Sequence, residues 1–431
     1  MDPFKNALTF LDLVEPYLIP EARPYLRRLE NIQNLVSGEI AVGKNLYQTY
    51  RSQHNNALGP FKGGIRYHPG VTESEVKALS LWMSIKCSVA GLPFGGGKGG
   101  IIVDPKKLSV RELEELSRAY VRFIASHIGP DRDVPAPDVN TNPQVMAWML
   151  DEYESIVGQK SPATFTGKPV EICGSKGRDK ATGLGGVMAM ELLLNQLLLS
   201  SKVDFINKPK SQITIAVQGF GNVGYHFATE VSRRGYRVVA VSDSKGAIYI
   251  EEGLDPEATM TCKKEKGTLA GCYCKGGVCD LRGGKQLTND KLLALDVDIL
   301  VPSALEGVIN KNNVADIKAK LIVEMANGPI TAEADKLLND RGIIIVPDVY
   351  ANSGGVTVSY LEWVQNRTGD YWDEAVVLQK LGNMMHRSFN AIWNRFERLK
   401  IDKKDHASLR LAVYLVAVER IISAEKLRKP L

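Results

Sequence analysis

Charge of one sign is what this chain has little of. Its 54 lysines and arginines meet 49 aspartates and glutamates, a net of +5 over 431 residues. That is too even for the basic face by which proteins hold nucleic acid. Histidine is scarce: the six, at 54, 68, 127, 226, 386 and 406, contain no pair at metal-ligand spacing, which argues against a histidine-built metal centre. Six cysteines are too few for a disulfide scaffold at this length. Long apolar runs are missing too. The most apolar stretch, Val187–Leu199, is interrupted by Glu191, Asn195 and Gln196 and reads as too short to cross a bilayer. The N-terminal MDPFKNALTFLDLVEP lacks the basic region, apolar run and small-residue cleavage site of a leader. The expectation is a cytoplasmic protein with neither nucleic acid nor membrane as partner.

What is present is ordinary globular composition, 44 % hydrophobic and 24 % charged, in a length that suggests two or three domains. Phe4, Leu8, Leu11, Val14 and Leu18 mark an amphipathic N-terminal helix, and Val76–Lys86, Val110–Ile128 and Pro143–Val157 carry helical periodicity around the break at Pro135-Ala-Pro137. The glycine-rich run Gly174–Gly186 leads into the apolar helix Val187–Leu199. Short apolar runs then follow at Ile213–Val217, Arg237–Val241, Asp298–Val301, Leu321–Val323 and Ile343–Val346, each separated by a helix-sized segment. Strands alternating with helices predict a parallel doubly wound sheet over roughly 180–350. Val356–Gln365 and Glu374–Lys426 read as helical.

Gln212–Gly224, QITIAVQGFGNVG, runs a buried strand straight into Gly219-Phe-Gly221-Asn-Val-Gly224. The next strand ends at Asp243, about 20 residues on, which completes the dinucleotide fingerprint. Gly219 permits the tight turn, Gly221 the close approach of backbone N–H groups to a pyrophosphate, and Gly224 the packing of helix on strand. Asn222 and Val223 open the helix whose N-terminus faces the anion. Asp243 would accept from the ribose hydroxyls and favour NAD. Ser242, Ser244 and Lys245 could hold a 2′-phosphate, so NADP stays open.

Two glycine-rich segments each surround a lysine: GPFKGGIRY with Lys62 and GLPFGGGKGG with Lys98. The second is no Walker A loop, because Leu92 and Gly99 stand where that motif needs Gly and Ser/Thr. Lys86 lies between them on a helix. Three lysines brought together would depress one another's pKa and attract a polyanion, which suits acid–base work. The plain alternative is three solvated lysines, and Asp138 between Pro137 and Val139 could be a simple turn aspartate.

GPFKGGIRYHP, LPFGGGKGG, VPAPDVNTNPQVMAW, TGKPVEICGSKGRDKATG, AVQGFGNVG, AVSDSKG, VEMANGP and ANSGGVTVSYLEWVQ resemble the glutamate dehydrogenases of the hexameric Glu/Leu/Phe/Val dehydrogenase family, from about Tyr50 almost to the C-terminus. The resemblance implies a two-domain α/β fold. Residues 1–178 would form a substrate-binding and oligomerisation domain, completed by C-terminal helices at 352–431, and 179–351 a Rossmann domain. It implies conversion of L-glutamate, NAD(P) and water to 2-oxoglutarate, ammonium and NAD(P)H by a homo-hexamer. By the same resemblance Lys62 binds the side-chain carboxylate, Lys86 the α-carboxylate, Lys98 in its glycine loop is the catalytic lysine and Asp138 the catalytic carboxylate. Asn352 and Ser359 complete the substrate pocket, Thr182 and Asn327 face the nicotinamide, and Arg178 lies near the cleft. Members acting on apolar amino acids have an apolar residue where Lys62 stands, because an ammonium buried against an apolar side chain is costly.

Two regions depart from the family. Arg27–Asn45 is polar and shows no clear strand pattern where the family has apolar, alternating strands. Cys262–Lys285 is an insertion holding six basic residues against two acidic ones, so most of the chain's positive surplus sits there. Its thiols Cys262, Cys272, Cys274 and Cys279 could ligate zinc, although the spacing is not that of paired CxxC motifs. Free thiols in a loop and a redox hairpin are the alternatives. No metal is assigned to the catalytic site.

Overall fold

A computed structural model describes residues 2–200, 204–279, 284–402 and 407–428. The chain divides into two units, each built around its own sheet: Met1–Arg178 with Val356–Lys380 and Val413–Leu431, and Asp179–Gly355 with Leu381–Ala412. The tail that the sequence assigned whole to the first domain is therefore shared, with 381–412 grouping with the second unit.

The first unit begins with helices α1 (Pro3–Val14) and α2 (Arg23–Arg28). Its five-stranded sheet has the order β1-β2-β4-β3-β5, with β1 Asn34–Val42, β2 Asn45–Asn55, β3 Phe61–Tyr67, β4 Gly96–Ile101 and β5 Asp133–Pro137. β3 runs parallel to β4 and to β5, while β2 is antiparallel to β1 and β4. Helix α3 (Glu73–Val89) connects β3 to β4, and α4 (Val110–Ile124) and α5 (Pro143–Val157) follow. Each starts on a side-chain cap: Thr72, Ser109 in a capping box with Glu112, and Asn142. Ile65, Tyr67, Ile101, Tyr120, Met149 and Phe165 form the core beneath them.

Two expectations change here. The polar stretch 27–45 does contain a strand, β1, whose hairpin with β2 turns at Gly43-Lys44. β1 is the edge of its sheet and much of it is exposed, so its solvent side needs no apolar alternation. The glycine segment around Lys98 is not a loop but the interior strand β4. Its glycines allow neighbouring backbones to close in. A Cβ on Gly63 would lie 1.5 Å from the Gly97 carbonyl oxygen, and one on Gly96 2.1 Å from that of Ser80.

The second unit holds a seven-stranded sheet of order β11-β8-β7-β6-β12-β13-β14. The strands are β6 Thr214–Gln218, β7 Arg237–Asp243, β8 Gly246–Tyr249, β11 Lys285–Leu287, β12 Ile299–Pro302, β13 Leu321–Val323 and β14 Ile344–Val346. The small hairpin β9 (Cys274–Lys275) and β10 (Val278–Cys279) stands apart. β7, β6, β12, β13 and β14 are parallel, with β8 and β11 as an antiparallel margin. β6 has β7 on one side and β12 on the other, so the strand order reverses there.

Helix α6 (Ala181–Ser200) begins inside the glycine-rich run expected to precede the helix. The reason is close packing: a Cβ on Gly183 would meet the Phe227 backbone at 2.7 Å, and one on Gly186 the Met325 sulfur at 2.2 Å. The longer helix makes Ala181–Leu199 long and apolar enough to cross a membrane by length and composition, contrary to the sequence reading. More than half of that stretch is buried within the protein, as in a core helix. α7 (Asn222–Arg233), α8 (Pro256–Lys266), α9 (Asn289–Leu293), α10 (Ala332–Asp340) and α11 (Asp348–Ala351) complete this part. The C-terminal helical run is α12 (Gly354–Thr368), α13 (Glu374–Ile401) and α14 (Leu409–Arg428). His406 and the insertion's Asp280 and Arg282 lie outside the described residues.

Candidate functional site

In the first unit, β3 and β4 lie side by side and carry Lys62 and Lys98. Lys62 is 1 % exposed and donates to the Val134 carbonyl at 3.1 Å and to Thr166 Oγ1 at 2.9 Å. Burial, reinforced by Arg178 and Arg51, pulls its pKa down to about 7. Lys98 is also buried, and its pKa is lowered chiefly by burial. Desolvation, rather than mutual repulsion among three lysines, is thus the main cause of both shifts. Lys86 is half-buried on α3, less enclosed than the other two.

Asp138 follows β5 directly. Its Oδ2 lies 2.6 Å from Lys98 Nζ and 3.0 Å from Arg66 Nε. Burial alone would raise its pKa, but Lys98 and Arg66 outweigh that and hold it at about 2. Arg66 is itself paired with Glu75 on α3. The turn role is real as well: the Asp138 backbone N–H donates to Thr141 Oγ1 at 2.7 Å. Gly64 makes room, since a Cβ there would stand 2.7 Å from the Asp138 Cβ. Arg178 Nε donates to the buried Ser359 Oγ at 3.2 Å.

Sequence reasoning missed three supports. Arg66 clamps Asp138. Arg51 forms a fully buried pair with Asp133, and Lys168 another with Glu362 at 2.7 Å. The arginine in GGIRY was the only hint of the first. The buried pairs join residues far apart in sequence, and no local spacing announces them.

In the second unit, Gly219 adopts φ 96° at the end of β6, a left-handed conformation that favours glycine. A Cβ on Gly224 would come within 1.9 Å of the Gly219 carbonyl oxygen, whereas one on Gly221 would meet nothing within 4 Å. The turn is therefore packed shut on the strand side and open at Gly221, before the α7 N-terminus formed by Asn222 and Val223. That is the room a dinucleotide pyrophosphate requires. Asn222 Nδ2 is tied to the Asp179 carbonyl at 3.1 Å. Asp243 ends β7 and is 3.3 Å from Lys263 Nζ. Thr182 lies half-buried in the first turn of α6. Asn352 Nδ2 donates to Asn327 Oδ1 at 3.1 Å, while its own buried Oδ1 has no partner. Such an acceptor would be satisfied by a ligand donor.

The glycine turn at the reversal point of a doubly wound sheet marks a dinucleotide-binding domain. The chain belongs to the Glu/Leu/Phe/Val dehydrogenase family. Residues 173–429 match Glutamate/Leucine/Phenylalanine/Valine dehydrogenase and residues 36–155 the Glu/Leu/Phe/Val dehydrogenase dimerisation domain. The glutamate dehydrogenase of Thermotoga maritima is 50 % identical over 384 residues, 89 % of this chain and 86 % of that protein. The NADP-specific glutamate dehydrogenase of Synechocystis is 46 % identical over 88 % of this chain and 85 % of its own length. The crystal structure of a hetero-hexameric glutamate dehydrogenase from Thermus thermophilus is similar with TM-score 0.87 at 34 % identity, covering 99 % of this chain and 97 % of that one. Relatives of this chain include enzymes named NAD-specific as well as NADP-specific.

Proposed function

We propose that the chain catalyses the reversible oxidative deamination of L-glutamate to 2-oxoglutarate and ammonium, with NAD or NADP as hydride acceptor. The observation that carries the reading is the ion pair of buried Lys98 with part-buried Asp138, with a second buried lysine, Lys62, on the neighbouring strand. Lys62 supplies a desolvated cation for the distal carboxylate, and Lys86 one for the α-carboxylate. Ser359, Asn352 and Arg178 border the substrate pocket; Asn327 and Thr182 serve the nicotinamide side.

Asp138, ionised at neutral pH, accepts a proton from the substrate's α-ammonium. The nicotinamide, when bound, would supply the hydride acceptor for the α-carbon, and loss of hydride from that carbon would leave an iminium. Lys98, whose deprotonation burial makes easier, acts through its free amine as the base that takes a proton from water as the water oxygen bonds to that carbon. Asp138 returns its proton to the nitrogen, the C–N bond breaks, and ammonia leaves. Of the two protons then shed by Lys98 and by the new carbonyl's hydroxyl, one makes ammonium and one goes to solvent.

Work in the cytoplasm and assembly as a homo-hexamer belong to the same proposal. The edge strand β1 supports assembly, because its outer side is available for pairing with another copy. Steady-state kinetics on glutamate and leucine, each with NAD and with NADP, test the function. Glutamate should be turned over well ahead of leucine. Faster leucine turnover would overturn the role of Lys62, and dinucleotide binding without turnover would point to a non-catalytic member.

A further inference from the structure

The insertion after β8 is not used by the chemistry above. Its four cysteines come from separate pieces of chain: Cys262 near the end of α8, Cys272 in the loop beyond it, and Cys274 and Cys279 as facing partners on β9 and β10. The structure draws Cys262 to Cys272 and Cys274 to Cys279 as disulfides. It also brings three of the four sulfurs together, those of Cys262, Cys274 and Cys279 lying within 4.8 Å of one another, with Cys272 joined to this group through Cys262. We infer that this cluster is a four-thiolate site for one zinc ion.

Two disulfides require closeness within each pair but none between the pairs. Four thiolates on a tetrahedral zinc, with Zn–S near 2.3 Å, require all four sulfurs at mutual separations of about 3.8 Å. The convergence of the two pairs is what the metal explains and the disulfides do not. The hairpin serves the same end: Gly276 and Gly277, at φ 55° and 80°, make the tight turn that brings Cys274 and Cys279 opposite each other. Register partners present their side chains to the same face.

Charge is the second argument. Zinc with four thiolates carries two net negative charges, whereas two disulfides carry none. Across Cys262–Lys285 six basic residues stand against the acids Glu265 and Asp280, and with Lys263 paired to Asp243 a positive surplus remains. That surplus matches a dianionic centre. The donor set, all sulfur, suits zinc and not magnesium or calcium. Burial is the third. Cys262, Cys272 and Cys274 are buried, yet the segment's own apolar residues include a buried Leu269 and an exposed Val278. An excursion with so little core needs a cross-link to hold one shape.

On binding, four thiols lose four protons and form four Zn–S bonds, with no change of oxidation state. The centre is structural: all four positions belong to cysteine, with none open to substrate.

The other two cysteines, Cys87 and Cys173, are free, which makes the test clean. Untagged protein purified without chelator or reductant is analysed for metal, and its thiols are counted in denaturant with and without chelator. About one zinc per chain and six titratable thiols are expected, with zinc released in step with four thiols by a mercurial. The Cys272→Ser/Cys274→Ser variant should lose the zinc. Two thiols and no zinc would establish the disulfides and overturn the proposal. Six thiols and no zinc, even after incubation with zinc chloride, would overturn it as well. The wild-type measurements decide the matter even where the double variant fails to fold.

Discussion

Lys98 Nζ and Asp138 Oδ2 are 2.6 Å apart, and Arg66 Nε reaches the same oxygen at 3.0 Å. One carboxylate thus answers two cations in a site where water is scarce. Asp138→Asn keeps the shape and removes the proton acceptor, and Lys98→Met keeps the stem and removes the amine. Each should lower kcat by about 10²–10⁴-fold while dinucleotide affinity, measured by fluorescence titration, stays unchanged. Arg66→Met is different in kind, because Arg66 positions Asp138 and helps to keep its pKa at about 2. Loss of that cation raises the carboxyl pKa, so the acid limb of the kcat–pH profile should move to higher pH. A fall in kcat with the limb unmoved would make Arg66 merely structural.

Lys62 predicts a proton linkage. Its pKa of about 7 leaves the ammonium mostly neutral one unit higher in the free protein. A bound dicarboxylate stabilises the charged form, so binding draws in a proton. Calorimetry of 2-oxoglutarate binding with dinucleotide present, in two buffers of different ionisation enthalpy, should find uptake of nearly one proton at about pH 8 and little at about pH 6. Lys62→Met should abolish the difference and weaken binding. The stability term has the opposite sense to that of a salt-bridged lysine. The folded pKa lies below the unfolded 10.5, so stability rises with pH across that window, because the unfolded chain binds the extra proton.

How much could be read in advance depended on how local each signal was. The glycine turn, Asp243 and the strand–helix alternation around them are contiguous, and the sequence showed them. Lys62, Lys98 and Asp138 were visible only through family motifs, since β3, β4 and β5 meet by tertiary pairing. The Lys98 strand was hidden for a physical reason. A glycine-rich strand carries no apolar alternation, and its β character comes from neighbours that need its missing side chains. β1 was hidden in the reverse way, as a solvated edge strand that buries too little to be patterned. Arg51–Asp133 and Arg410–Glu324 bridge large sequence separations, and no spacing rule reaches that far.

The dinucleotide turn separates two kinds of glycine. A Cβ at Gly224 would strike the Gly219 carbonyl oxygen, whereas a Cβ at Gly221 would meet nothing in the chain. Gly224→Ala should therefore lower Tm. Gly221→Ala should leave Tm of the free protein near wild type and raise the Kd for NAD tenfold or more, by about 1.4 kcal/mol, because its methyl fills the space of the pyrophosphate. Equal thermal losses for the two variants would show that Gly221 is also a packing residue and weaken its assignment to the ligand.

Arg410 holds three acids in the second unit: Glu324 at 2.8 Å, Asp335 at 2.8 Å and Asp348 at 3.7 Å. Asp348 Oδ2 in turn accepts from the Gly328 backbone at 2.8 Å, next to Asn327. Even with Arg410 present, burial raises the Glu324 pKa to about 7. A carboxyl raised in this way favours the folded state below its unfolded value of 4.5, and that contribution is lost as pH climbs through 7. Arg410→Met removes the cation opposing the shift, so the folded pKa rises further and the loss of stability grows toward alkaline pH. Breaking a buried pair on one side costs about 3–5 kcal/mol. Denaturant melts should show a loss of that order near neutrality and a smaller one at about pH 5. Adding Glu324→Gln removes the stranded charge and should restore part of the loss. A deficit that stays constant with pH, or a double variant no better than the single, would mean that Arg410 stabilises by packing and not by charge.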